Sequence, residues 1–280
     1  MKPSPIGYVR ATSLAHALDL LAEGDGEEKV LAGGQSLVAS LNLRLIESPN
    51  LIDINGLDEL RGIGVEGDVV RIGALTRHCE LMASDVVARH VPILREAAPL
   101  IAHAAIRTRG TIGGSIANAD PAAELPACVV ALDATIVLAS KAGGERRVKA
   151  AEFFLGLFET DRRDDELLIA IEVPTIKPGE RQSIRELVRR SGDYALAGLA
   201  LAGPADAPRL VFFGVGDAPV VAGNAMAVLA GGGSIDEAAL ALEGDLDPAD
   251  DINGSAGYKK HISRVLLKRA LSVDRQFEAA

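Results

Sequence analysis

The chain has 280 residues, 48% of them hydrophobic and 24% charged, and carries a formal net charge of −10. That length can bury a full core and accommodate two domains, while the acidic balance and scattered Lys and Arg argue against nucleic acid or an anionic membrane as partner. No run approaches the roughly 18 apolar residues of a membrane span, and the N-terminal MKPSPIGYVRATS lacks the apolar centre of a secretion signal, so a cytoplasmic location is expected.

Taken in order, Ser13 is placed to cap an amphipathic helix whose face carries Leu14, Ala17, Leu18 and Leu21 and which ends at Gly24. The segment KVLAGGQSLVASLNLRL then predicts a strand over residues 29–32, a Gly33-Gly34-Gln35-Ser36 turn and a helix to about Arg44, followed by a strand over residues 51–54. Strand, tight turn and helix N-terminus together form an arrangement that receives phosphate groups. From Leu57 the pattern becomes short alternating strands, and GIGVEGDVVRIGALT predicts a hairpin turned at Glu66-Gly67-Asp68. Gly62, Gly64 and Gly67 match G-x-G-x-x-G, but that motif should open a helix and here a strand follows, so a dinucleotide site is rejected.

Residues 86–103 have helical spacing, with Val87, Val91, Leu94, Ala98 and Ile101 available for one face. They lead into RTRGTIGGSIANADPAAELP, the most informative stretch of the chain. Its paired glycines, Gly113 and Gly114, should leave backbone N–H groups uncovered, so that a bulky polar ligand can lie against the chain. Asp120 before Pro121 reads as the N-cap of the next helix, with Glu124 in the first turn, where its charge suits the helix dipole. A strand over residues 134–139, a charged turn, AEFFLGLFET and the strand ELLIAIEVP complete the first unit, and TIKPGE marks the boundary. The last hundred or so residues predict strands over 184–190, 197–202 and 209–215, and helices over 223–230 and 235–242. A final helix runs from Tyr258, with Tyr258, Ile262, Val265, Leu266 and Ala270 in a stripe, giving a second α+β unit with its own core.

Two isolated cysteines, Cys79 and Cys128, in apolar settings predict buried free thiols and cannot supply a four-cysteine iron–sulfur site. The five histidines are dispersed, and no zinc spacing occurs, so no metal is expected in this chain.

AGGQSL at residues 32–37 and TIGGSIANADPAAELPA at residues 111–127 resemble the FAD-binding medium subunit of molybdenum hydroxylases, and most closely the carbon monoxide dehydrogenase medium-subunit family, which is related to the FAD domain of xanthine dehydrogenases. FFLGLFET, ELLIAIEVP, RRSGDYALA and YKKHISRVLLKRAL extend the resemblance over nearly the whole chain. The resemblance implies an α+β protein: a two-part FAD-binding domain of the vanillyl-alcohol oxidase/p-cresol methylhydroxylase (PCMH) type over residues 1–177, with subdomains about 1–56 and 57–177, then a smaller C-terminal domain over residues 178–280.

It further implies that the FAD diphosphate lies on the first loop, formed by Lys29, Val30, Leu31, Ala32, Gly33, Gly34, Gln35 and Ser36. Thr111, Ile112, Gly113, Gly114 and Ser115, with Ala117 and Asn118, hold the rest of the cofactor's polar stem, and Glu124 is the acidic contact. Ile101 and Ala102 line the cofactor, Leu168 reaches the flavin edge through its backbone, and Arg185 and Tyr194 lie near the isoalloxazine. Ala39, Asn42 and Asn118 stand where relatives usually carry proline, lysine and histidine, a departure that touches fine hydrogen bonding. Neither glycine loop contains His, Cys or Tyr, so the FAD is expected to be non-covalent. By the same resemblance the molybdenum cofactor and 2Fe–2S clusters sit in a large and a small partner subunit, in a dimer of heterotrimers, and no catalytic residue belongs to this chain.

Two other readings are open to test. Gly113-Gly114-Ser115-Ile116-Ala117 falls one residue short of a G-x-S-x-G nucleophile elbow, but no clear strand enters Ser115 and no histidine follows it before His261. A self-sufficient flavin oxidoreductase would need a sizeable substrate domain, which the last hundred or so residues, in a chain only 3% aromatic, do not resemble.

Overall fold

Residues 2–47 and 50–272 are described by the computed structural model. β1 (Gly7–Arg10), α1 (Leu14–Glu23), β2 (Lys29–Leu31), α2 (Leu37–Leu43) and β3 (Asn50–Asp53) form a first unit, a parallel sheet in the order β1-β3-β2. Ser13 caps α1 by accepting from the His16 amide, and Ala17 and Leu21 are buried, as the spacing predicts. The predicted strand, turn, helix and strand become β2-α2-β3, with β2 parallel to β3. β1 was not anticipated, because four residues beside prolines carry no alternation; it gains its partner only through β3, and the Tyr8 hydroxyl donates to Asp53 at 2.5 Å.

The second unit is a five-stranded antiparallel sheet, β4-β5-β10-β6-β7, made of β4 (Ile63–Glu66), β5 (Val69–Gly73), β6 (Thr135–Ser140), β7 (Gly144–Lys149) and β10 (Leu167–Pro174). The β4–β5 hairpin pairs Glu66 with Val69, so Gly67-Asp68 form the turn and the rejected glycine motif lies in a hairpin. β7, expected as a charged turn, is an edge strand whose charged side chains keep that edge from pairing with other chains. One face of the sheet holds α3 (His78–Ala83), α4 (Asp85–His90), α5 (Pro92–Ala97), α7 (Ile112–Asn118) and α8 (Glu124–Ala131), in a core with Ile72, Leu94, Ile112, Ile116, Leu125 and Ile136. Against the other face packs the first unit, where Ile52, Ile54 and Ala17 meet Leu75, Val137, Leu167 and Ile169. α6 (Ala104–Arg107), α9 (Ala150–Phe153) and the ribbon of β8 (Phe154–Gly156) with β9 (Glu159–Thr160) complete the unit.

The helix expected over residues 86–103 is broken, because Pro92 lacks the N–H an uninterrupted helix needs, and it opens α5 instead. Val87, Val91, Leu94 and Ala98 are nevertheless fully buried on one side.

β11 (Glu180–Leu187), β12 (Ala197–Pro204), β13 (Arg209–Phe213) and β14 (Val220–Val221) form the last sheet, covered by α10 (Gly223–Ala230), α11 (Ile235–Ala241) and α12 (Ala256–Ser272). α12 buries Lys259, Ile262, Ser263, Leu266, Leu267 and Ala270, while Tyr258 is half exposed. The expected stripe is therefore shifted at its start, since Lys259 turns inward to pair with Asp251 at 2.7 Å. This sheet packs on α8 and α5, and the Gly214 amide donates to Pro121 at 2.8 Å.

Candidate functional site

A cleft of about 420 Å³ opens where the two N-terminal units meet, and a segment of the third, residues 192–194, reaches its wall. The first wall is the turn after β2. Gly34 has φ +72°, a backbone state glycine adopts without strain. A Cβ on Gly33 would lie 2.6 Å from the Arg109 carbonyl oxygen and 2.8 Å from the Gly110 Cα, so this glycine lets two backbone segments touch. Among the described residues, the N–H groups of Gly33, Gly34, Gln35 and Ser36 donate to no protein acceptor. Four open amides beside a helix N-terminus attract an anion.

The second glycine stretch departs from expectation. It is the helix α7, capped by Thr111, and its amides are taken: Ile112 donates to Thr76, Gly113 to Ala74 at 2.9 Å and Gly114 to the Thr111 hydroxyl at 3.1 Å. A Cβ on Gly113 would sit 2.6 Å from the Ala74 Cβ, so that glycine serves close packing of α7 on the end of β5. Uncovered amides belong to the first stretch, not the second. Asp120 is likewise not a helix cap. Its Oδ1 accepts from the Ala122 amide at 2.9 Å in a turn, and Ala123 precedes α8.

A polar network ties the walls together. The Asn55 side chain donates to Ala32 O at 2.7 Å and accepts from Arg77 Nη2 at 2.7 Å, while Arg77 Nη1 donates to the Arg109 carbonyl. Arg107 clamps Ile101 O and Ala102 O at 2.8 and 2.7 Å, holding Ala102 at φ +42°, which costs of order 1 kcal/mol in a non-glycine residue.

Of the residues expected at the site, 29, 30, 32–36, 101, 102, 111, 113–115, 117, 118, 124, 168 and 194 line the cleft. Leu31 turns against the Gly34 backbone, Ile112 is fully buried in the core, and Arg185 is an exposed residue of β11 opposite Leu199; these three lie outside the cleft wall. Ile112 and Arg185 depart because alternation within helix and strand turns them away. Sequence reasoning missed His78, Gly110, Arg162 and Glu166, which also line it. Each is a lone polar or small residue whose position depends on distant packing, so no local pattern announces it.

Burial changes the charges here. Glu124, only 7% exposed, is pushed up to about 8 by desolvation, with Glu186 and Asp120 adding to it, so at neutral pH it is a carboxylic acid and not a charge serving the dipole. Desolvation lifts Glu186 to about 7 and raises Asp120, although its turn amide and the Tyr194 hydroxyl oppose the shift. His78 is driven down to about 4 by burial, then by Arg77 and Arg107, so the imidazole is neutral, and its Nδ1 has no partner.

A raised carboxyl pKa means the fold favours the protonated form. The associated stability is complete below the unfolded value of 4.5 and is lost as pH rises to about 8 for Glu124 and about 7 for Glu186. Thermal melts should therefore show Tm falling between about pH 5 and about pH 9, with a shallower fall in Glu124→Gln. An identical slope in the variant would show that Glu124 is ionised in the fold.

Among the described residues no helix is long and apolar enough to cross a membrane, and no group of three His, Cys, Asp or Glu residues is arranged for a metal ion. Cys128 is fully buried and Cys79 partly so.

Residues 4–176 match the family described as the FAD binding domain in molybdopterin dehydrogenase, and residues 182–273 match the CO dehydrogenase flavoprotein C-terminal domain. The glyceraldehyde dehydrogenase medium chain of Sulfolobus acidocaldarius is 39% identical over 279 residues, covering 96% of this chain and 98% of that one. The carbon monoxide dehydrogenase medium chain of Hydrogenophaga pseudoflava is 36% identical over 281 residues, covering 97% and 98%. A solved structure of carbon monoxide dehydrogenase from Hydrogenophaga pseudoflava, lacking the Mo-pyranopterin moiety, superposes with a TM-score of 0.92 over 96% of each chain at 37% identity. With a family match over more than half its length and full-length relatives of this identity, the chain belongs to the family of FAD-binding subunits of molybdopterin dehydrogenases.

Proposed function

We propose that this chain is the flavin relay of a molybdenum hydroxylase, holding one non-covalent FAD and passing electrons from an iron–sulfur partner to an outside acceptor. The observation that carries the reading is the row of open amides at residues 33–36 in the cleft wall. An acidic protein can hold a diphosphate through such amides without a surrounding field of Lys and Arg. Bound FAD would supply the redox chemistry, taking electrons on one side and yielding them on the other.

The protein's contribution is placement. The amides of residues 33–36 suit the diphosphate, and the neutral Glu124 carboxyl and neutral His78 imidazole offer hydrogen bonds without adding charge. Asn55 and Arg77 keep the two walls in register, and Tyr194, two-thirds exposed, stands at the cleft from the third unit. The residue set taken from the family resemblance is proposed as the FAD site, with Leu31, Ile112 and Arg185 in supporting positions. The division at residues 1–56, 57–177 and 178–280, and the PCMH type of the FAD domain, are part of the same proposal.

The partners are a large subunit carrying the molybdenum cofactor and a small subunit carrying 2Fe–2S clusters, in a cytoplasmic dimer of heterotrimers with no role for nucleic acid. Leu155, Leu157 and Phe158 on the β8–β9 ribbon are each more than half exposed, which is the kind of surface a subunit contact covers. The full chain, purified and then denatured by heat or acid, should release one FAD per chain, identified by mass. A folded chain that is colourless and ignores added FAD would end this account.

A further inference from the structure

Arg162 is a charge without an opposite number. It lines the cleft, and its Nη1 donates to Arg163 O at 2.7 Å and Glu166 O at 2.9 Å. Among the described residues no carboxylate lies within ion-pair distance of it, and its Nε and Nη2 donate to no protein group. The acids nearby do not remedy this. Glu166 is 3% exposed and its oxygens are spent on Arg146, at 2.8 and 2.7 Å, and on the Arg163 amide at 2.8 Å. Asp164 and Asp165 act on Arg162 only at longer range. Arg162 is half-buried, and desolvation pushes its guanidinium down from its ordinary value, so it gives up part of its hydration without gaining an anion. Two carbonyls fix the guanidinium while its other edge is left for the cleft, which is how a planar fork is readied for a phosphate or carboxylate.

We propose that Arg162 is an anion-binding residue of the cleft, neutralising phosphate charge on the bound dinucleotide in addition to the open amides of residues 33–36. The proposal rests on the flavin-binding reading and adds the one arginine that lines the cleft among the described residues to the open amides of residues 33–36. Lys29 also lines the cleft, but as an exposed residue at the start of β2 it keeps its water. Arg162 therefore accounts for most of the salt sensitivity of cofactor binding.

The test is titration of FAD into the deflavinated full-length chain, followed by flavin fluorescence, for wild type, Arg162→Gln and Arg162→Lys at low and high salt. Arg162→Gln should weaken FAD binding about ten- to a hundredfold at low salt, the loss should shrink at high salt, and Arg162→Lys should recover part of it. Thermal melts of the apo-proteins should differ little. A wild-type affinity in Arg162→Gln, or a loss equal at both salts and shared by Arg162→Lys, would overturn the proposal, the second result marking Arg162 as a clamp on the Arg163 and Glu166 carbonyls. Failure of the wild type to bind FAD at all would instead overturn the flavin reading.

Discussion

Gly33→Val should purify without flavin while its C-terminal unit stays folded. The added side chain starts 2.6 Å from the Arg109 carbonyl oxygen and 2.8 Å from the Gly110 Cα, and both obstacles are backbone. Neither can rotate away as a side chain would, so the turn must leave the 109–110 segment, and the amides of residues 33–36 lose their common direction. The Asn55–Arg77 bridge that registers the same two segments is strained by the same movement. The matched control is Gly64→Val in the β4–β5 hairpin, where nothing lies within 4 Å of an added Cβ and the flavin should be retained. Gly114→Val should fall between the two, since its Cβ meets only the Thr111 hydroxyl, at 2.8 Å, and the cost is the helix cap of about 1 kcal/mol plus a narrower cleft. Flavin-to-protein absorbance ratios and far-ultraviolet circular dichroism check all three, and full flavin content in Gly33→Val would mean that the turn is not part of the site.

Arg146→Met should produce the largest loss of stability, about 3 kcal/mol, seen as a fall in Tm of about 5–10 °C. Arg146 meets Glu166 through two hydrogen bonds and reaches the Asp161 side chain at 2.5 Å and its carbonyl at 2.7 Å. Glu166 is 3% exposed, so removing its partner leaves a buried carboxylate supported only by the Arg163 amide. The fold currently holds Glu166 below its ordinary value: burial acts to raise it, and the Arg146 and Arg163 hydrogen bonds outweigh that effect. Arg146→Met combined with Glu166→Gln should cost less than the two single changes added together, because the second change removes the stranded charge. Strict additivity in that cycle would show that the pair is not coupled.

The sequence made the two glycine stretches conspicuous, yet it could not distinguish their jobs. AGGQS and TIGGS look alike as strings. Only the fold reveals that Thr76 and Ala74, just after β5, take up the Ile112 and Gly113 amides, with Ala74 packed against Gly113, while among the described residues nothing takes up those of the first. Local signals served well where neighbours in the chain decide the structure, as at the Ser13 cap, the Gly67-Asp68 turn and helix α10, and less well where distant groups decide. Pro92 divides a helical pattern that reads as continuous, and Lys259 enters the core of α12 because Asp251 lies within reach. The polar residues that shape the cleft, Asn55, Arg77, His78 and Arg162, carry no periodicity, so they became visible only when the sheet and its helices brought them together. Glu124 was legible as a site residue but not in its protonation state, which depends on how deeply its surroundings exclude water.

A relay and a complete enzyme differ most plainly in what the isolated chain can oxidise. The decisive measurement is steady-state oxidation of organic substrates by the highly purified, FAD-loaded chain, with mass spectrometry confirming that no partner is present, set beside the chain co-expressed with molybdenum and iron–sulfur subunits. The flavin-relay account predicts electron exchange with artificial dyes but no substrate turnover by the chain alone, and substrate turnover when the partners are restored; robust turnover by the single chain would contradict it.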